Sequence, residues 1–294
     1  MKEKIIVFCA GYYFKIYFQM LSEQYHILAL TDNDVGKWGK EFYGMKCVSP
    51  MEILSYNPDK VIIANQNHSV SNSIMEQIRR IDNDIPIVLI KDLVENKIVL
   101  ENALYEPYYR DKLGNEIILD TNIFFNKMVV YFNGCNNRIE IKKNTKVESR
   151  LFISCMGNNN SISIGSDCFI GGLDIVSAEK GNVFIGNNCM MSYDIEIHQG
   201  TSHPIFDMNS KKRINYSKDI EISDNVWIGK RVGLMSGFKI GKGSVVGFGS
   251  VTSGIFGKNV IIAGAPARVI KENVEWRKDY VGLYTLDSIL DSKE

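Results

Sequence analysis

The chain has 294 residues and a mass of 33.3 kDa, enough for one large domain or two small ones. Basic and acidic residues balance at 34 each, which argues against a dedicated nucleic-acid-binding protein, and 45% hydrophobic residues exclude wholesale disorder. No apolar run approaches the roughly 18 residues that a membrane-spanning helix needs. The apolar N-terminal stretch is too short for a signal peptide and predicts a first β-strand, so we expect a cytoplasmic protein that does not span a membrane.

Residues 1–95 alternate short aliphatic runs with helical stretches. Runs typical of strands buried on both faces of a parallel sheet occur at 4–9, 27–31, 60–64 and 85–90. Helices are predicted between them, notably at 12–24 and 70–81. This alternation predicts a Rossmann-like α/β domain over residues 1–95. Residues 96–116 are predicted to be a linker or a first, irregular piece of the next domain.

A nucleotide site in this first domain has weak support from the sequence. The turn after the first strand keeps one of the three glycines of a dinucleotide-binding fingerprint, Gly11. Asp32, at the end of the second strand, occupies the place of a ribose-binding acid. The residues are equally compatible with a plain loop, so both interpretations stay open.

The second half of the chain repeats with a period of six residues. Apolar anchors recur at Ile222, Ile228, Leu234, Ile240, Val246 and Thr252. Earlier triplets are Ile141, Val147 and Ile153, then Ile164, Ile170 and Val176, then Ile185, Met191 and Ile197, with an irregular first one at Ile118, Phe124 and Val130. This period fits neither a helix nor a plain strand, and it predicts short strands that turn a corner every six residues. Three such sides form one triangular coil, and the coils stack over residues 117–270.

Small residues at the fourth position after the anchors support a narrow prism. They are Thr145, Cys168, Cys189, Val226, Val232, Ser244 and Ser250. Cys168 and Cys189 are therefore interpreted as inert core thiols, and since no cysteine forms a CxxC pair, we expect neither a disulfide framework nor a metal. A C-terminal helix over 271–294 is predicted to cap the open end of the prism.

The largest interruption of the repeat lies between Ile197 and Ile222. It contains His198 and His203, two of only four histidines in the chain. A loop that projects from a rigid scaffold is where catalytic groups tend to lie, so we interpret this pair as functional and the other two histidines as incidental. Shorter interruptions at 134–137 and 157–160 are predicted to be structural corners.

Three motifs carry a resemblance to a known family. The six-residue anchors together with residues 203–207 (HPIFD), 226–229 (VWIG) and 263–268 (AGAPAR) resemble the left-handed β-helix, hexapeptide-repeat acyltransferases over about residues 117–275. The HPIFD loop followed by 213–215 (RIN) is most similar to bacterial capsule and lipopolysaccharide sugar O-acetyltransferases. The fold class implied is α/β plus all-β: a Rossmann-like parallel-sheet domain, then a left-handed parallel β-helix with a C-terminal helix.

The resemblance also implies a reaction and a site. It implies a homotrimer, acetyl-CoA as co-substrate, a sugar or glycan acceptor and His203 as the general base, with His198 as the second candidate catalytic residue. Candidate residues for binding substrate or acetyl-CoA are Trp227, Arg213, Asp207, Arg268 and Gly247. Many relatives have an aspartate two residues before the base, where this chain has Thr201, so the acid that orients the base is left open among Asp194, Glu196 and Asp207.

Two other functions remain as alternatives. The α/β domain ahead of the β-helix resembles that of N-acetyltransferases acting on nucleotide-linked amino sugars, but those enzymes lack the long HPIFD-type insertion. A non-catalytic trimeric scaffold is the third possibility, and the histidine pair argues against it. We therefore expect an acetyl-CoA-dependent O-acetyltransferase that modifies a hydroxyl of a cell-surface polysaccharide sugar.

Overall fold

The computed structural model describes residues 2–65, 67–93, 97–101 and 108–279. Its first unit is a six-stranded sheet with helices between the strands. The strands are β1 Lys4–Phe8, β2 His26–Thr31, β3 Glu41–Phe42, β4 Met45–Val48, β5 Lys60–Ile63 and β6 Ile87–Leu89. The helices are α1 Tyr12–Gln24, α2 His68–Ile81 and α3 Ile90–Leu93, with 3₁₀ turns at Val35–Lys37 and Pro50–Tyr56. In the described part of the chain, none of the helices has the length and hydrophobicity that crossing a bilayer requires.

The strands of this sheet follow the order β3-β4-β2-β1-β5-β6, and β1, β2, β4, β5 and β6 pair in parallel. Strand β1 is central and buried on both faces, which is why its sequence is continuously aliphatic. The predicted parallel sheet is thus confirmed, while its assignment to the Rossmann class stays a prediction.

The second unit is a three-sided parallel coil. Face 1 contains Glu116–Leu119, Arg138–Ile141, Ser161–Ile164, Asn182–Ile185, Ile220–Ile222, Lys239–Ile240 and Ile255–Phe256. Face 2 contains Phe169–Ile170, Met190–Met191, Trp227–Ile228, Val245–Val246 and Val260–Gly264, and face 3 contains Leu173–Ala178, Ile195–His198, Gly233–Met235 and Val251–Thr252. Two long strands, Phe124–Asn133 and Lys146–Met156, run from face 2 into face 3.

The interior of this prism is as the repeat predicts. Apart from Ile118, Phe124 and Val176, the anchors are buried, and so are the small residues four positions after them, including Val226, Ser244 and both Cys168 and Cys189. All six cysteines are free thiols, and the thiols of Cys168 and Cys189 donate to backbone carbonyls. Their predicted place in the core is confirmed.

The predicted register is wrong by one residue at two places. In the first coil the inward side chains are Leu119 and Phe125, which pair with the next coil, rather than Ile118 and Phe124. In the third coil the inward residue is Ile175, not Val176. The chain there turns the corner one residue earlier, at Gly171 and Gly172, than in the neighbouring coils.

The two ends of the prism differ in how they compare with the prediction. Segment 96–116 contains Lys97–Glu101 and Tyr108–Arg110, which pair antiparallel with the first strands of faces 3 and 1, so these strands are an irregular first piece of the prism and not a linker. At the other end, Ala267–Glu272 forms an antiparallel hairpin with Val260–Gly264. The helix predicted from residue 271 therefore does not begin there, because this strand still pairs at Glu272, and residues 273–279 are not helical. The rest of that predicted helix lies outside the described residues.

The two units share one hydrophobic cluster. Leu113 and Cys135, from the first coils of the prism, pack with Tyr17, Met20 and Leu21 of α1. Helix α1 therefore lies against the edge between faces 3 and 1, where the chain also leaves the prism in its long insertion.

We expect Gly134→Ala to lower the free energy of unfolding by about 1–3 kcal/mol. A Cβ at Gly134 would lie 1.9 Å from the backbone oxygen of Gly157, the equivalent corner of the next coil, and backbone at this position cannot move without breaking the stack. The matched control is Gly257→Ala, because a Cβ there meets no atom within 4 Å. Thermal unfolding of both variants tests this. Equal melting temperatures would show that the stack tolerates a wider corner.

Candidate functional site

The base of the insertion 199–219 is anchored in a ladder of buried polar side chains. Asn137 donates to Asn115, and Asn160 donates to Asn137, each from both its backbone and its side-chain nitrogen. The ladder continues through Ser177 to Gln199, whose side chain is fully buried. The predicted structural corners at 134–137 and 157–160 contain two of these rungs. Each rung satisfies a buried polar group, so the corner from which the insertion starts is rigid.

Gln199 also joins the two ends of the insertion. Its Nε2 donates to the Lys218 carbonyl oxygen at 3.3 Å, and its Oε1 accepts from the Ala178 backbone N–H at 3.1 Å. Beyond it, a Cβ at Gly200 would lie 2.3 Å from the Ser217 Oγ. The insertion therefore leaves and returns through one narrow point at the edge between faces 3 and 1.

Within the insertion, Asn215 holds the chain at His203. Its Nδ2 donates to the His203 carbonyl oxygen at 2.8 Å and to the Thr201 Oγ1 at 2.7 Å, while its Oδ1 accepts from the Ile205 N–H at 2.7 Å. Phe206 and Arg213 then pair as an antiparallel bridge. The sequence points to Asn215 only through its place in the RIN motif and does not predict these contacts.

Arg213 ties the insertion to the prism. Its guanidinium forms an ion pair with Glu179, and its Nη2 donates to the Asn215 carbonyl oxygen at 3.0 Å. Burial raises the pKa of the Glu179 carboxyl, but the Arg213 guanidinium and the Ser217 backbone N–H outweigh it and bring that pKa below its usual range. Arg213 was predicted to bind substrate, and in this structure its donors are directed to the protein itself.

The two histidines differ in their surroundings. The His203 ring is exposed and, among the residues described, has no side-chain partner. The His198 ring, at the end of a face 3 strand, lies 3.2 Å from Glu196, measured from Nε2 to Oε2. Of the three acids left open by the sequence, Glu196 thus contacts a histidine, and it contacts His198 rather than the predicted base.

Asp207 lies at the tip of the insertion, where its carboxylate bonds to the backbone. Its carboxylate accepts from the backbone N–H groups of Ser210 at 2.6 Å and Asn209 at 3.1 Å, and these bonds lower its pKa. These contacts fix a tight turn. A role for Asp207 in substrate binding stays a prediction.

The remaining predicted binding residues lie on another part of the prism. Trp227 is on face 2, half-exposed, with its ring 6.1 Å from that of Trp276. Gly247 follows the next face 2 strand, where a Cβ would lie 3.1 Å from the Cβ of Ala263. Arg268 is exposed on the hairpin strand beside face 2 and donates to the Ala267 carbonyl oxygen. Within a single chain, these residues therefore lie on or beside face 2, away from the edge that carries the histidine pair.

A cavity of about 750 Å³ opens beside the insertion. Tyr13 and Lys15 of α1 form one wall, residues 156–159 and 178–180 of the prism form a second, and Thr201, Ser202 and Pro204 form a third. The last three residues flank His203 in the chain. The volume is in the range typical of small-molecule sites.

In the candidate nucleotide-binding turn of the first domain, the acidic side chain is bonded to neighbouring protein groups. The Asp32 carboxylate accepts from the Ala10 backbone N–H at 2.9 Å and pairs with Lys37 at 2.8 Å. Cys9 has a left-handed backbone, and burial, with Asp32 nearby, raises the pKa of its thiol to about 11. With its oxygens engaged in this way, Asp32 does not favour the ribose-binding interpretation.

Two family descriptions match parts of the chain. Residues 219–254 match "Bacterial transferase hexapeptide (six repeats)", and residues 1–87 match "C2185-like, N-terminal". The first of these coincides with the regular coils that follow the insertion.

Proteins that are similar in sequence include polysialic acid O-acetyltransferases from two bacteria. The polysialic acid O-acetyltransferase of Neisseria meningitidis is 33% identical over 196 residues, which cover 59% of this chain and 91% of that protein. The enzyme of the same name from Escherichia coli O1:K1 / APEC is 38% identical over 48% of this chain, and the match spans 45% of that longer protein. The crystal structure of the polySia specific acetyltransferase NeuO is 29% identical, covers 62% of this chain and 88% of that one, and gives a TM-score of 0.43.

Proposed function

Because this chain belongs to the hexapeptide-repeat acetyltransferases related to capsule O-acetyltransferases, we propose that it transfers an acetyl group from acetyl-CoA to a hydroxyl of a cell-surface polysaccharide sugar. The observation that carries this proposal is the anchored insertion, in which Asn215 holds the backbone at His203 beside a cavity. The names of the relatives support a sugar hydroxyl as the acceptor.

His203 is the general base in this mechanism. A thioester is already activated, so the sugar oxygen can attack the acetyl carbonyl carbon directly, without a covalent enzyme intermediate. As the C–O bond forms, the neutral imidazole takes the hydroxyl proton, and the proton then passes to the CoA sulfur as the C–S bond breaks. A backbone N–H near the carbonyl oxygen would stabilise the oxyanion, and positioning supplies the rest of the acceleration. The mechanism requires no metal, and that expectation stays a prediction.

Mass spectrometry of candidate glycans after incubation with acetyl-CoA tests the proposal. The expected product gains an acetyl group that mild alkali removes, as an ester does. An alkali-stable acetamide on a nucleotide-linked amino sugar would instead support the N-acetyltransferase alternative. Release of CoA with no glycan modified would contradict both.

The working unit in this proposal is a homotrimer. The insertion that contains His203 projects from the edge between faces 3 and 1, whereas Trp227 lies on face 2. A site that contains both residues therefore needs face 2 of a second copy of the chain. The insertion also exposes large apolar side chains, at Ile205, Phe206, Met208, Ile214 and Tyr216. An exposed apolar patch of this kind is typical of a surface that another chain covers.

Sedimentation at micromolar concentration should therefore give about three times the chain mass of 33.3 kDa. Replacing Phe206 and Met208 together with serine should shift the protein towards the monomer. Met51→Ser is the matched control, since Met51 is 75% exposed on the first domain against 83% for Met208. A wild-type monomer would contradict both the trimer and the shared site.

A further inference from the structure

The cavity beside the insertion has a wall that the β-helix alone does not provide. Tyr13 and Lys15 belong to the first turn of α1, and the opposite walls are corners of the prism and the residues around His203. Helix α1 is held in this position by the hydrophobic cluster that it shares with Leu113 and Cys135. The first domain thus shapes a space that adjoins the proposed base.

The charge of this cavity is positive. Lys15 and Lys180 are exposed at its rim, and neither forms an ion pair within the described part of the chain. Glu179 is the acid among the lining residues, and Arg213 neutralises it. Two lysines therefore remain uncompensated. A concave site lined by one sign of charge attracts ligands of the opposite sign.

The polar lining suits a saccharide in particular. Asn159, Thr201 and Ser202 line the cavity and carry an amide and two hydroxyl groups, of which the Thr201 hydroxyl also bonds to Asn215 and His203 within the insertion. Such groups donate to and accept from sugar hydroxyls, while lysine ammonium groups pair with carboxylates as point charges. The first turn of α1 contains no acidic residue, and its N-cap, Gly11, has no side chain to offset the positive end of the helix dipole.

We propose that this cavity is the acceptor subsite and that it takes a carboxylated saccharide, with Lys15 of the first domain and Lys180 of the prism binding the carboxylate. The inference rests on the proposed function and adds to it the acceptor class and a role for the first domain. It places the acceptor's hydroxyl within the space flanked by Thr201, Ser202 and Pro204.

The test compares Lys15→Glu and Lys180→Glu with wild type in the full chain. Binding of a sialic acid trisaccharide is measured by calorimetry without acetyl-CoA, alongside maltotriose as the neutral probe and UDP-N-acetylglucosamine as the nucleotide-sugar probe. Each substitution is expected to weaken binding of the acidic trisaccharide about tenfold or more, corresponding to at least about 1.4 kcal/mol, and added salt should weaken it in the wild type. Lys40→Glu is the control, an exposed lysine of the first domain outside the cavity. Melting temperatures verify that each variant is folded.

Three results would overturn the inference. These are equal binding by both lysine variants and wild type, equal loss in Lys40→Glu, and binding of maltotriose or the nucleotide sugar in preference to the acidic trisaccharide. In turnover assays the two lysine variants should raise KM for the acidic acceptor and leave KM for acetyl-CoA unchanged. Charge-dependent binding without any acetyl transfer would contradict the proposed function alone. Acetyl transfer with the same acceptor KM in wild type and in both lysine variants would contradict the subsite alone.

Discussion

Replacing His203 with alanine is expected to lower kcat by about 10²–10⁴-fold, the usual cost of losing a general base. The protein should remain folded and trimeric and should bind CoA with unchanged affinity, because the His203 ring is exposed and supports no core contact. His203→Gln is a useful second variant, since it keeps a polar side chain of similar reach but cannot accept the proton at neutral pH. Turnover of both variants, with sedimentation and CoA binding measured on the same samples, tests the assignment.

His198 is the matched control, and it can also overturn the assignment. Its ring lies 3.2 Å from the Glu196 carboxylate, the arrangement in which an acid orients a catalytic base. We nevertheless expect His198→Ala and Glu196→Gln to reduce kcat much less than His203→Ala, because His198 ends a regular strand of the prism. Near-normal turnover of His203→Ala together with a large loss in His198→Ala would exchange the two roles.

The repeat was the part of this fold that the sequence could predict. A residue that points into a narrow prism must be apolar or small at fixed intervals, and Val226, Ile228 and Ser244 follow that rule. Such a pattern reports the direction of each side chain without knowledge of any distant contact.

The register was mispredicted where neighbouring apolar residues coincide with a step of five residues instead of six, as from Phe125 to Val130 and from Ile170 to Ile175. Ile118 lies beside the equally apolar Ile117 and Leu119, and Phe124 lies beside Phe125, so the pattern does not show which of two neighbours points inwards. In the third coil the corner at Gly171 is shortened by one residue, and this becomes visible only when Ile175 pairs with its neighbours. The C-terminal hairpin was missed because its strand is exposed along most of its length and has no apolar alternation.

The sequence predicts where the site lies in the chain, but it does not predict the contacts that hold the site together. The interruption of the repeat located both histidines, since an insertion is visible by counting. The partners of the insertion were not visible, because Glu179 lies on the preceding coil, 34 residues from Arg213. Contacts of this kind depend on how the coils stack. Asp207, which is near His203 in the chain, instead accepts hydrogen bonds from the backbone of its own turn.

Breaking the ion pair between Arg213 and Glu179 is expected to cause the second large loss of activity. Arg213→Met is expected to lower kcat about tenfold or more, because the insertion loses its tie to the prism and His203 loses its fixed position, and small misplacements of reacting groups are costly. It should also increase trypsin cleavage at Lys211 and Lys212, which the insertion exposes. Lys239→Met removes an exposed ion pair with Glu221 elsewhere on the prism, and we expect it to change neither cleavage nor turnover.

The same ion pair predicts that the stability of the fold falls as the pH is lowered. The pKa of Glu179 is lower in the folded state than its ordinary value of 4.5, so its ionised form stabilises the fold above that value. This stabilisation is lost as the pH falls through the lowered pKa and the carboxyl takes up a proton. The melting temperature of Glu179→Gln should therefore lie below that of wild type at neutral pH, and the difference should narrow in acid. A difference that persists unchanged below pH 4.5, or a combined Glu179→Gln and Arg213→Met variant whose loss equals the sum of the single losses, would show that the two side chains do not act as a pair.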